Sequence, residues 1–190
     1  MTKRPVESAP APAQWPWPFV ALVGLRASGK TTLARALGER HSMPALDLDA
    51  RLAERHGAAS AGELLSRLGV ARFRAAEEAL ALELLDAPTR GARLWSCGGG
   101  LVESPRVRAL LARRALVLWL DAPPSVLAAR LRRDPNPRPS LLGLPPEREL
   151  ELLAARREGL HRACAHLRLD AAAPAPVVLE RALAALARHG

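Results

Sequence analysis

The chain has 190 residues, enough for one domain with a sizeable buried core and too few for two comfortable ones. Its 49% hydrophobic and 25% charged content excludes a disordered chain. The formal charge is +9, yet the only lysines are Lys3 and Lys30, and the arginines are scattered along every predicted helix rather than massed in a block. That pattern argues against nucleic-acid binding and suits a field that draws in anionic substrates. No apolar run approaches the roughly 18 residues needed to span a bilayer. Met1–Pro18 lacks the apolar stretch of a secretory signal, so a cytoplasmic protein without a membrane role is expected. Cys97 and Cys164 are too few for a disulfide framework and read as buried thiols.

Residues 1–18 carry Pro5, Pro10, Pro12, Pro16 and Pro18 among alanines and tryptophans, which predicts an extended tail ahead of a single domain over 19–190. From Phe19 the pattern alternates strand and helix. Phe19–Val23 reads as a strand, a glycine-containing loop follows, and a helix runs from about Lys30 to Arg40. Pro44–Leu48 is a second strand. Helical periodicity covers Arg51–His56, Ala61–Leu68 and Arg72–Leu85. Leu94–Cys97 is a third strand, ending in Gly98, Gly99 and Gly100. Ser104 and Pro105 open a helix as N-cap and first helical residue. Ala115–Leu120 is a fourth strand, Pro123–Arg132 a helix, and Arg133–Pro146 a Pro- and Gly-rich insertion. A long helix over Glu147–Ala165, a short strand over His166–Leu169 and a helix over Val177–Arg188 complete the chain. Strands separated by helices predict an α/β fold, a parallel sheet covered on both faces, with ligands at the carboxyl ends of the strands.

Gly24-Leu25-Arg26-Ala27-Ser28-Gly29-Lys30-Thr31 satisfies the phosphate-loop pattern, and a strand precedes it and a helix follows. In such a loop the backbone N–H groups form an anion nest, Lys30 reaches the β- and γ-phosphates, and the Thr31 hydroxyl binds Mg²⁺. ATP or GTP binding follows, with Ala27, Ser28, Gly29, Lys30, Thr31 and Thr32 around the phosphates. Asp47-Leu48-Asp49 closes the second strand, where residues two apart share a face, so both carboxylates can point into one cleft. The alternative is a pair of acids capping the next helix.

Beyond these motifs the chain resembles the shikimate kinases from about Val20 to Arg188. The order matches: phosphate loop, Asp-x-Asp, Glu54 and Gly57, then Phe73-Arg74-Ala75-Ala76-Glu77, similar to the family's Phe-Arg-x-x-Glu segment. Gly98-Gly99-Gly100 looks like its triple-glycine loop, Arg138-Pro139 like the Arg-Pro of its lid, and Arg157 with Leu160 like its late-helix Arg-x-x-Leu segment. The resemblance implies a five-stranded parallel sheet in a P-loop three-layer fold with a mobile lid over about 133–146 and a substrate region over about 49–80. It implies an ATP-dependent kinase acting on a hydroxyl of shikimate, monomeric, with Mg²⁺ as cofactor. Carried over residue by residue, it places Thr31 and Asp47 at the metal and Lys30, Asp49 and Arg138 in catalysis. Arg130 and Arg138 would meet ATP, while Asp49, Arg74, Gly98, Gly99, Gly100 and Arg157 would meet shikimate. Arginine suits a carboxylate clamp because its planar fork bonds both oxygens.

Each assignment has a plainer counterpart. Arg74 can pair with Glu77 or Glu78 on a helix surface, and Arg156 beside Arg157 leaves an offset of one open. The sequence also departs from the family pattern. Ala27 stands where a glycine is common, His161 replaces a tyrosine, the lid reads Arg-Pro-Ser-Leu, and Pro174 stands where a basic residue often lies. A gluconate-kinase-like enzyme and a non-catalytic ligand sensor are the competing readings. The Asp-x-Asp, Phe-Arg and triple-glycine set speaks against the first. The short tail, with no room for a DNA-binding domain, speaks against the second.

Overall fold

The structure, a computed structural model, describes residues 17–87, 93–134 and 139–189. Five strands form an entirely parallel sheet: β1 (Phe19–Val23), β2 (Ala45–Asp47), β3 (Arg93–Ser96), β4 (Ala115–Asp121) and β5 (Leu167–Asp170). Their order is β2-β3-β1-β4-β5. The helices are α1 (Lys30–His41), α2 (Leu48–Arg55), α3 (Ala61–Asp86), α4 (Pro105–Arg114), α5 (Pro124–Arg132), α6 (Pro146–Cys164) and α7 (Ala175–His189), with a 3₁₀ turn at Leu101–Glu103.

Strands β1 and β4 are continuous apolar runs because they are buried on both faces. The two-residue alternation of a strand divides them between two cores. Val20, Leu22, Leu116, Leu118 and Leu120 face one side, where Leu33 and Leu37 of α1, Leu127 of α5, Leu150 of α6 and Leu186 of α7 cover them. Phe19, Ala21, Val23, Val117 and Trp119 face the other, against Leu85 of α3 and Val107 and Leu111 of α4. A third, smaller cluster of Leu52, Leu64, Phe73 and Leu80 holds α2 against α3. The architecture expected from the sequence is present.

Local differences have local causes. The second strand ends at Asp47, and α2 starts at Leu48 rather than near Arg51, because Asp47 acts as its N-cap: its side chain accepts the Ala50 N–H. The two helical segments expected over 61–68 and 72–85 join in α3 across a kink at Gly69 (φ 74°, ψ 163°), a backbone geometry that disfavours a side chain. Ser104 caps α4 as expected, accepting the Val107 N–H at 3.2 Å. Trp17 packs on the first core and meets His166 edge-on at 4.7 Å between centroids. Among the described residues, no helix is long and apolar enough to cross a membrane.

Candidate active site

Order β2-β3-β1-β4-β5 places the carboxyl ends of β1, β2 and β3 side by side, and a cleft of about 1750 Å³ opens above them. The loop after β1 is its floor. A side chain at Gly24 (φ 144°) would collide with the Leu120 carbonyl, so only glycine lets the loop leave the sheet here. Gly29, the N-cap of α1, is left-handed and offers no side chain to the first amides of the helix, which remain available to an anion. Lys30 is buried, and its ammonium donates to the Leu25 carbonyl at 2.8 Å and the Ser28 hydroxyl at 3.4 Å. Thr32 follows in the first turn, exposed to the cleft. Ala27 adopts φ 61°, the left-handed conformation that the departure from glycine makes costly.

Thr31, Asp47 and Ser96 join three elements at one point. Thr31 Oγ1 donates to Asp47 Oδ2 at 2.6 Å. Its single proton is thereby used, so the Ser96 hydroxyl is the donor across the 3.1 Å to Thr31. The resulting all-oxygen set, next to the phosphate loop, fits Mg²⁺, which takes oxygen ligands and keeps several waters. Ser96 has no signal in the sequence as a site residue; only the register of β3 beside β1 and β2 brings it here.

Asp49 does not share a strand face with Asp47. It lies in the first turn of α2, and the expectation of two carboxylates on one extended segment is corrected. The helix-capping alternative describes Asp47, which performs that role and meets Thr31 as well, one carboxylate oxygen for each. Asp49 still reaches the cleft. A Cβ on Gly98 would stand 2.7 Å from Asp49 Oδ1 and would overlap the Glu77 carboxylate.

The arginines settle around the triple-glycine turn. Arg74 donates to Glu77 Oε2 at 2.5 Å, and its guanidinium lies where a Gly100 side chain would be. Arg157 is buried, donating from Nη1 to the Gly99 carbonyl at 3.0 Å and from Nε to Glu103 Oε1 at 3.1 Å. Arg156 is 66% exposed, so Arg157 is the member of the pair that faces the cleft. Glu103 escaped the sequence reading because its partner is 54 residues away.

Burial is the strongest influence on Glu77, and the nearby Asp49 adds to it. Against the opposing pull of Arg74, they push its carboxyl up to about 6. Among the described residues its Oε1 has no hydrogen-bond partner. Burial, then the positive charges of Lys30 and Arg157, lower His161 to about 4, so it is neutral at pH 7; its ring stacks on Trp119 at 5.4 Å. Burial likewise raises Cys97, which stays a thiol.

Arg130 bridges two loops, donating to the Ala171 carbonyl at 2.7 Å and the Ala27 carbonyl at 3.4 Å. It therefore buttresses the phosphate loop beside the cleft wall that Ala171 and Pro176 form. Arg138 and the segment 135–138 lie outside the described residues.

A family model described as shikimate kinase matches residues 26–187. A shikimate kinase of Oleidesulfovibrio alaskensis is 40% identical over 173 residues, covering 90% of this chain and 98% of that one. The solved shikimate kinase from Acinetobacter baumannii in complex with shikimate superposes with a TM-score of 0.80 at 30% identity, covering 93% of this chain and 95% of that one. A gluconokinase from Sinorhizobium meliloti, at 20% identity and a TM-score of 0.58 over 90% and 93% of the two chains, shares the fold alone.

Proposed function

The chain belongs to the shikimate kinase family, and we propose on that footing how its cleft divides the work of moving the γ-phosphoryl group of ATP to a hydroxyl of shikimate. The observation that carries the reading is the placing of Arg74, Arg157 and Asp49 around Gly98–Gly100, in the same cleft as the phosphate loop. Shikimate is a small polyol acid, and it needs a cationic clamp at one end and acceptors for its hydroxyls at the other.

Arg74 and Arg157 grip the carboxylate, and each is pre-set by a buried or half-buried acid, Glu77 and Glu103. Holding the guanidiniums in place before substrate arrives saves ordering entropy on binding. Gly98, Gly99 and Gly100 let the ring approach the backbone. Asp49 accepts the proton of the attacking hydroxyl as its oxygen bonds to the γ-phosphorus, and the bridging P–O bond breaks to release ADP. Lys30 and the amides at the start of α1 neutralise charge on the transferring group. Thr31 and Asp47 would hold Mg²⁺, which when bound neutralises phosphate charge. Arg130 flanks the nucleotide, and Arg138 completes the charge neutralisation from the lid.

In this organisation residues 49–80 form the substrate region and 133–146 the lid, in a monomeric cytoplasmic enzyme. Gluconate-kinase-like activity has only a shared fold in its favour. The test is coupled detection of ADP release with shikimate, gluconate and nucleoside monophosphates as acceptors. Turnover with shikimate above all others is expected; a preference for gluconate or a nucleotide would overturn the reading.

A further inference from the structure

Glu149 belongs to neither the phosphate loop nor the arginine cluster around the triple-glycine turn. It lies in the first turn of α6 and is only 2% exposed. A buried carboxylate persists only where its charge is compensated. One oxygen, Oε2, accepts from three consecutive donors: the Ser140 hydroxyl, the Leu141 N–H at 2.7 Å and the Leu142 N–H at 3.0 Å. The other, Oε1, pairs with Arg26 Nη1 at 3.1 Å, and that same nitrogen donates to the Pro139 carbonyl at 3.2 Å. Burial would raise its pKa, but Ser140, the two amides and Arg26 together hold it below the ordinary carboxylate value. The start of α6 favours the negative charge too.

The consequence is a connection between two parts of the cleft wall. Arg26 is the third residue of the phosphate loop, between Leu25 and the left-handed Ala27, while Pro139, Ser140, Leu141 and Leu142 form a strap leading into α6. Neither the strap nor the loop has regular secondary structure to hold it to the other. Among the described residues, the buried Glu149 carboxylate and the Arg26 guanidinium join them.

We propose that Glu149 is a positioning residue that, through Arg26, makes the phosphate loop and the 139–142 strap one mechanical unit. Nucleotide in the loop is thereby transmitted to the strap. Ordering of the loop by ATP lowers the cost of ordering the strap, and strap order in turn favours ATP. The inference rests on ATP occupying the phosphate loop, and it adds a coupling that the roles of Lys30 and Thr31 do not contain.

NMR-detected amide exchange on the full chain, with and without a non-hydrolysable ATP analogue and Mg²⁺, tests it. In the wild type the analogue slows exchange at residues 28–31 and, by about tenfold, at Leu141 and Leu142. In Arg26→Ala those two amides keep their protection in the free protein, because Glu149 still accepts them, but the analogue no longer adds to it. Glu149→Gln loosens them in both states. Each variant loses about tenfold in kcat/KM for ATP with KM for shikimate unchanged, and the double variant loses no more than either single one. Analogue-dependent slowing at Leu141 and Leu142 that survives Arg26→Ala would overturn the proposal, as would kinetic losses that multiply. Absence of slowing at 28–31 would instead sink the nucleotide site and this proposal together.

Discussion

The Glu77 carboxylate occupies the space that a side chain at Gly98 would need, so a catalytic-cleft glycine and a buried acid 21 positions earlier are fitted to each other. Gly98 is itself buried, and Glu77 holds Arg74 from the position that the missing Cβ vacates.

Gly98→Ala should therefore act on substrate rather than on the fold. The added methyl displaces Glu77, and Arg74 loses the partner that aims it. A rise in KM for shikimate of about tenfold or more is expected, the worth of one hydrogen bond to a charged group. KM for ATP and the circular dichroism spectrum should not change. Steady-state kinetics with each substrate varied in turn checks this.

The raised pKa of Glu77, about 6, gives opposite signs for stability and activity. An acid whose pKa is higher in the folded state binds its proton more tightly there than when unfolded. Its contribution favours the fold below the ordinary carboxylate value and is lost as pH climbs through about 6. The ion pair with Arg74 needs the ionised form, so kcat/KM for shikimate should rise over that same interval. Glu77→Gln should abolish this acid limb, and a pH–rate profile of both proteins would show it.

Replacing Arg74 or Arg157 by alanine should raise KM for shikimate by about thirty-fold to several thousand-fold, as expected when one partner of a desolvated charge pair is removed. ATP binding should be nearly unaffected. The methyl ester of shikimate, which lacks the charge, should be a poor substrate of the wild type and no worse for Arg74→Ala. An ester phosphorylated as well as the acid would exclude a carboxylate clamp.

Lys30→Ala and Asp49→Asn should lower turnover more than affinity, since both act where charge develops in the transition state. For Lys30→Ala the loss should be on the order of 10² or more. Single-turnover measurements with saturating ATP and shikimate separate this from weakened binding.

Ala27→Gly is expected to raise the melting temperature slightly. The left-handed conformation costs a non-glycine residue about 1–2 kcal/mol, and glycine returns about 0.4–1 kcal/mol of that to the unfolded chain as entropy. Thermal unfolding monitored by circular dichroism would detect the difference.

Local pattern alone carried a large part of this protein. The apolar runs Phe19–Val23 and Ala115–Leu120, the spacing of Gly24, Gly29 and Lys30, and the Ser104-Pro105 cap are short-range features. Strand alternation, helix periodicity and capping act within a few residues, so they can be read in one dimension. The end of β2 was misplaced by one residue for a local reason too, since Asp47 serves as either a strand end or an N-cap, and the choice falls to the Ala50 amide.

What only the tertiary structure decided are the contacts that cross the chain. The choice of Arg157 over Arg156 follows from which side of α6 faces the turn at Gly99: both pair with Glu103, but Arg157 is buried and donates to the Gly99 carbonyl 58 residues away. Ser96 joins Thr31 across 65 residues because strand order puts β3 beside β1, and Arg26 finds Pro139 across 113. The raised pKa of Glu77 needs burial that no sequence window contains. Sequence spacing sets which groups can share a local element. Burial and the pairing of distant charges arise only when the sheet brings the loops together, because a low-dielectric environment is a property of the packed fold.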